Sequence, residues 1–139
     1  KARIIQEGLK RFSIKNLSRE ERAFEVLRQV GGLELATLVG VCLAAAQKQK
    51  IILLDGFLSA VVALVAKEFC PHVVDYMIAS HVSHEQAHQH SLQILGKTPL
   101  LDLKMCLGEG SGAVLALPLI DSVCAILKET MTLDEALNV

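Results

Sequence analysis

Four of the five histidines fall within ten residues, His81-Val82-Ser83-His84-Glu85-Gln86-Ala87-His88-Gln89-His90. Inside that stretch, His84-Glu85-Gln86-Ala87-His88 spells H-E-x-x-H. On a helix this spacing sets two imidazoles one turn apart with a carboxylate between them, which is how many zinc hydrolases bind metal and activate water. His81 or His90 could supply a third ligand. Against zinc, the motif opens its predicted helix, no downstream ligand pattern follows, and a chain this short leaves little room for a peptide cleft. The competing reading is a polar helix face.

Two further groups could do chemistry. Leu107-Gly108-Glu109-Gly110-Ser111-Gly112 is a glycine-rich turn that opens an apolar helix. Backbone N–H groups at such a helix start suit an anion such as phosphate. The glycines do not account for Glu109: an acid between two glycines, ahead of an apolar helix, is well placed to face a cleft and act as a general base. A flexible loop carrying a structural charge is the alternative. Asp55-Gly56 follows an apolar run and reads either as a simple turn or as a binding corner.

The surrounding pattern says what must position these residues. Residues 1–12 read as a short amphipathic helix with Ile4, Ile5, Leu9 and Phe12 on one side. Ser18-Arg19-Glu20-Glu21 is a capping box for a helix running to about Val30. Gly31-Gly32 breaks it, and Leu33–Gln47 resumes as a helix whose Gly40, Ala44 and Ala45 allow close packing. Ile51–Leu54 is a continuous apolar run of the kind buried on both faces of a parallel sheet. Phe57–Phe69 reads as a helix stopped by Cys70-Pro71, and Tyr76–Ala79 as a second buried strand. Residues 51–79 therefore form a βαβ unit. Glu85–Leu95 is a helix with Gly96 as its cap. The stretch 100–106 reads as extended, and Ala113–Leu127 as a long helix kinked at Pro118. In an open parallel sheet, ligands bind beyond the carboxyl ends of the strands. Asp55-Gly56 and Ser80-His81-Val82-Ser83 both fall there.

Composition narrows the function classes. A length of 139 residues suits one domain with a real core, and 52% hydrophobic residues is rich for that size. A net charge of -1 gives no argument for nucleic acid or anionic membranes as partners, and no Trp, one Tyr and four Phe leave little aromatic surface for stacking bases. The runs Leu35–Ala46 and Ile51–Ala66 are too short to span a bilayer, so no membrane role is expected. Cys42, Cys70, Cys106 and Cys124 are widely spaced, with no C-x-x-C pair. They are expected to be reduced, mostly buried thiols of a cytoplasmic protein.

These groups together resemble one family. The stretches are Val30-Gly31-Gly32-Leu33-Glu34-Leu35-Ala36, Leu54-Asp55-Gly56-Phe57, Ser80-His81-Val82-Ser83-His84-Glu85, Pro99-Leu100-Leu101-Asp102-Leu103, Leu107-Gly108-Glu109-Gly110-Ser111-Gly112-Ala113 and Ala116-Leu117-Pro118-Leu119. In order and spacing they resemble the C-terminal part of nicotinate-nucleotide–dimethylbenzimidazole phosphoribosyltransferases. The resemblance implies an α/β fold with a doubly wound parallel sheet (Rossmann-like, three-layer αβα), incomplete here, with helical small-domain elements, and a homodimer. It implies transfer of phosphoribosyl from nicotinate mononucleotide to 5,6-dimethylbenzimidazole, giving α-ribazole 5′-phosphate and nicotinate, with no cofactor and no metal.

By the same resemblance Glu109 is the catalytic base, and Ser83 lies near the bound nucleotide. Gly31, Gly32, Asp55, Gly108 and Gly110 line the cleft, Leu107 joins an apolar benzimidazole wall, and Lys1 matches a nucleotide-binding lysine. The sequence departs from the family pattern Ser-Ala-Glu-Pro-Gly-His at 83–88. It also has no counterpart of the family's N-terminal half, with its G-I-G-N-T-T phosphate loop. The expectation is that residues 1–139 form the C-terminal part of a phosphoribosyltransferase domain. A truncated, non-catalytic relative that binds a nucleotide or a partner is the alternative.

Overall fold

Two strands and the helix between them organise the chain. A computed structural model describes residues 2–10 and 16–138. The apolar run ends in β1 (Ile52–Leu54), which pairs in parallel with β2 (Met77–Ala79) in the register Ile52 to Met77, Leu53 to Ile78 and Leu54 to Ala79. The two strands form a small parallel sheet. Beyond β2 the ladder gains a third parallel edge: His81 bridges to Leu101. There the Leu100 N–H donates to the Ala79 carbonyl at 3.0 Å, and Leu101 to Ser80 at 2.9 Å. The segment read only as extended thus becomes the sheet's outer edge. The fold is α/β but mostly helical.

The helices are α1 (Ala2–Lys10), α2 (Arg19–Val26), α3 (Leu33–Gln47), α4 (Phe57–Phe69), α5 (Gln86–Leu95), α6 (Ser111–Glu129) and α7 (Leu133–Leu137). Local chemistry explains their ends. Ser18 and Glu21 make the reciprocal capping box of α2, with the Glu21 N–H donating to Ser18 Oγ at 3.2 Å and the Ser18 N–H to Glu21 Oε2 at 2.8 Å. The helix expected to reach Val30 is α-helical only to Val26. It then widens into a π turn, Leu27–Gly31, before Gly32 turns the chain at φ 108°. Cys70 is extended ahead of Pro71, which begins a 3₁₀ segment, Pro71–Tyr76, leading into β2. Gly96 is left-handed, and the Lys97 N–H behind it reaches the Leu92 carbonyl at 2.9 Å, closing α5.

The central helix is α4, which packs against α2, α3, α5, β1 and the 3₁₀ segment. Its buried face is Ala60, Val62, Ala63 and Ala66. Small side chains at helical spacing let neighbouring backbones approach closely, so the core is tight. Leu54, Val73, Met77, Leu92 and Leu95 complete it. A bidentate ion pair from Arg19 to Glu68, at 2.8 and 3.1 Å, ties α2 to α4 at the surface. The Lys67 ammonium donates to the Ile94 carbonyl at 2.7 Å and ties α4 to α5.

Several expectations need correction. Cys42 is buried, and burial pushes its thiol pKa up, but Cys70, Cys106 and Cys124 are exposed. Cys124 lies in an apolar run, yet α6 packs only its first turns: Gly112 and Ala116 are its buried residues. Gly40 and Ala44 of α3 face outward, with Val39 and Cys42 inward instead. Of the described helices α6 alone, with 19 residues, is long and apolar enough by length and composition to cross a bilayer. The two runs considered from the sequence lie elsewhere.

Core and surface should respond differently to truncation. Leu54 is 2% exposed, so Leu54→Ala is expected to cost about 2–5 kcal/mol in chemical denaturation. Glu68→Ala cuts a solvent-exposed pair and should move the midpoint far less.

Candidate active site

Beyond the carboxyl ends of β1 and β2 the chain makes an open cleft of about 400 Å³. Three loops line it. Asp55 and Gly56 come from the corner between β1 and α4, and Phe57 and Ser59 from the first turn of α4 behind it. His81, Ser83 and Glu85 come from the loop between β2 and α5, and Leu107, Gly108 and Glu109 from the turn before α6. Each loop ends at a helix start: Gly56 caps α4, Glu85 precedes α5, and Gly110 caps α6. The first intrahelical bond of α4 runs from the Ala60 N–H to the Gly56 carbonyl at 3.2 Å. The N–H groups of Phe57, Leu58 and Ser59 therefore have no partner within the helix. Three helix N-termini thus meet at one opening and offer backbone N–H groups to an anionic group, beside the carboxylates of Asp55, Glu85 and Glu109 that line the same cleft.

One junction holds the loops together. Asp55 Oδ1 accepts the Ala113 N–H at 3.0 Å, so a side chain from the sheet caps the first turn of α6. His81 Nδ1 lies 3.8 Å from the same oxygen, and Ser80 Oγ lies 3.0 Å from that nitrogen. The His81 ring is pressed against Gly112. A Cβ at 112 would stand 1.9 Å from His81 Nδ1, well inside any tolerable contact, so only glycine fits. The turn carrying Glu109 is thus set against the sheet from two sides.

Glu109 itself is exposed and left-handed, at φ 61°, followed by Gly110 at φ 80°. The two residues reverse the chain into α6 and leave the Glu109 carboxylate beside the cleft. Leu107 is 72% exposed on the same wall, so it is not core. Ser83 faces the α4 corner: its hydroxyl lies 3.9 Å from the position of a Cβ on Gly56. It also accepts the Glu85 N–H at 3.4 Å, which shapes the turn into α5.

A phosphoribosyltransferase family profile matches residues 1–137. The chain belongs to this family. Among curated relatives it is 49% identical over 121 residues to the nicotinate-nucleotide–dimethylbenzimidazole phosphoribosyltransferase of Syntrophotalea carbinolica, covering 87% of this chain and 34% of that protein. The like-named protein of Geotalea uraniireducens is 43% identical over 136 residues, which cover 98% of this chain and 38% of that one. The crystal structure of CobT from Thermus thermophilus superposes with a TM-score of 0.84 at 38% identity, over 95% of this chain and 38% of that one. The chain therefore spans little more than a third of the length of these relatives.

In this chain, Asp55, Ser83, Leu107, Gly108 and Glu109 come together around one cleft, and Gly110 completes the turn beside them. Gly31 and Gly32 lie elsewhere. Gly31 lines a separate apolar depression between the π turn and α4, and Gly32 starts α3. Lys1 lies outside the described residues.

The zinc reading fails on geometry. Helix α5 begins at Gln86, so His84 is not on it and the one-turn spacing of two ligands is not formed. His84 is exposed, while His88 is fully buried with Nδ1 occupied by the Ser83 N–H at 3.0 Å. The polar-face reading fails for the same residue and for His81, which are core groups here. Their burial depends on Gly112 and on helix packing, which short-range spacing does not reveal. Gly112 was legible only as one glycine of a rich turn.

The junction is directly testable. Gly112→Ala should force His81 off its site and cost about 1–3 kcal/mol in denaturant titration. Asp55→Asn keeps an oxygen for the Ala113 N–H and should be milder than Asp55→Ala, which removes the cap at a cost of about 1 kcal/mol.

Proposed function

We propose that the protein containing these residues transfers phosphoribosyl from nicotinate mononucleotide to 5,6-dimethylbenzimidazole, forming α-ribazole 5′-phosphate and releasing nicotinate. The observation that carries this reading is the gathering of Glu109, Ser83 and three helix N-termini around one cleft. The names of the relatives supply the substrates. In the proposed reaction one benzimidazole nitrogen attacks the anomeric carbon of the ribose. The bond from that carbon to the pyridinium nitrogen breaks, and its electron pair returns to the nicotinate ring, which leaves without needing an acid. Attack would leave positive charge on the benzimidazole, and Glu109 removes the proton from its other nitrogen. The Ser83 hydroxyl and the free N–H groups of α4 suit the phosphate, and Leu107 offers apolar surface to the base.

In this reading residues 1–139 are the C-terminal part of a phosphoribosyltransferase domain with a doubly wound, Rossmann-like αβα core, acting as a cytoplasmic homodimer. Two features support it. The chain spans 34–38% of its relatives. Large apolar side chains stand exposed along α1 (Ile4, Ile5, Leu9) and α6 (Val114, Val123, Ile126, Leu127), more than an isolated domain usually shows. The start of α6 is tied to Asp55 at the cleft, and the unbroken helix carries Pro118 and the charged Asp121 part-way along it. Its bare face is accordingly assigned to protein contacts.

Glu109→Gln in the natural full-length chain should lower turnover by about 10²–10⁴-fold. Nucleotide affinity, measured by calorimetry with nicotinate mononucleotide, should stay near wild type. Near-normal turnover would falsify the general-base role.

A further inference from the structure

His88 takes no part in the reaction just described, yet among the described residues no side chain is more deeply buried. It sits in the first turn of α5, where polar residues ordinarily face water. Its Nδ1 accepts the Ser83 N–H at 3.0 Å across five residues of chain. Its Nε2 has no hydrogen-bond partner among the described residues. The His81 ring is tilted against it at a centroid distance of 6.3 Å.

We propose that His88 is a positioning residue, whose Nδ1 fixes the Ser83 backbone at the cleft edge while the ring is held as its neutral Nε2–H tautomer. The proposal rests on the reading of Ser83 as part of the nucleotide site.

The hydrogen bond requires this tautomer. A nitrogen that accepts from an N–H cannot carry its own proton, so the ring's one proton must be on Nε2. Adding a second proton would turn Nδ1 toward Ser83 as a donor facing a donor. It would also bury a charge in the core with no anion bonded to it. Burial is the main cause that pushes the His88 pKa below the ordinary value; His81 pushes the same way, and Asp55 opposes them. Among the described residues, His81 and Asp55 are the charged or titratable groups that bear on it.

The bond matters because the loop after β2 has few other anchors on this side. Val82 donates to the Leu101 carbonyl at 2.8 Å and secures the residue before Ser83. After it, the Glu85 N–H bonds the Ser83 side chain only at 3.4 Å. The His88 bond fixes the backbone between those points, and with it the direction of the hydroxyl.

Sign follows from the lowered pKa. The native state prefers neutral His88, so the contribution is complete above the unfolded pKa near 6.5. It is lost as pH falls from there through the folded pKa.

The test compares two variants in the natural full-length chain. Asn at 88 can place its side-chain oxygen close to the Nδ1 position and does not titrate; Leu fills the space with no acceptor. Three quantities are read: exchange of the Ser83 amide without ligand, the ¹⁵N shift of His88 Nδ1, and KM against kcat for nicotinate mononucleotide. Wild type should show an unprotonated Nδ1 and a protected Ser83 amide that opens at low pH. His88→Leu should speed that exchange and raise KM about tenfold, the equivalent of one hydrogen bond, with kcat little changed. His88→Asn should restore protection and KM, and keep the amide protected at low pH. If His88→Leu does not fold, the wild-type shift and the Asn variant still decide. A protonated Nδ1 at neutral pH, or fast Ser83 exchange in both wild type and Asn, overturns the proposal. So does an amide that responds as described while nucleotide KM does not. The amide and nitrogen readings need no substrate, so failure of the nucleotide reading shows separately, as wild type that binds no nicotinate mononucleotide.

Discussion

A single close approach governs the cleft: the imidazole of His81 lies on the bare backbone of Gly112. Everything around it is arranged to allow that contact. Parallel pairing of β1 with β2 brings Asp55 and His81 to the same end of the sheet. Asp55 then takes the Ala113 N–H, one residue beyond Gly112. Ser80 holds the ring from behind at 3.0 Å. A helix that is otherwise barely packed is thereby tied down at its first turn, and the residues just before it become one wall of the cleft. The positive ends of α4, α5 and α6 meet there as a result, without any lysine or arginine among the described residues that line the cleft.

The core beneath serves the same end by different physics. Helix α4 buries alanines and a valine rather than long side chains, so β1, α3 and α5 can crowd around it. Such packing leaves little freedom for the loop corners at its N-terminus. By contrast, α1 and most of α6 contribute little to this core and carry apolar faces open to solvent. The chain thus has a packed part that sets the cleft, and two helices, α1 and α6, whose apolar faces lie open to solvent.

Much of this was legible in the residues. The Ser18–Glu21 box, the Cys70-Pro71 stop, the Gly96 cap and the two apolar runs placed α2, α4, α5 and both strands closely, apart from the π turn that ends α2 early, because each is a local signal. The cleft followed from strand direction and from Glu109 set between glycines. Other features rest on contacts between distant residues. His88 reads as a polar helix residue until the Ser83 N–H is seen to turn back onto it. The third parallel edge at Leu101 has no periodic signature of its own. Cys124 lies in a run apolar enough to be buried, yet what decides its exposure is that no described element packs on that part of α6. The Gly31-Gly32 pair does break a helix as read, but through a π turn that faces α4 and not the cleft.

The left-handed backbone of Glu109 carries a consequence for how this position can vary. Holding a residue with a Cβ there costs about 1–2 kcal/mol, and holding glycine costs almost nothing. If folding alone were selected, glycine would be the favoured occupant between two other glycines. Glutamate there gives up stability for a carboxylate at the cleft, so a search for more stable variants of this chain would be drawn to replace the residue its proposed chemistry most needs.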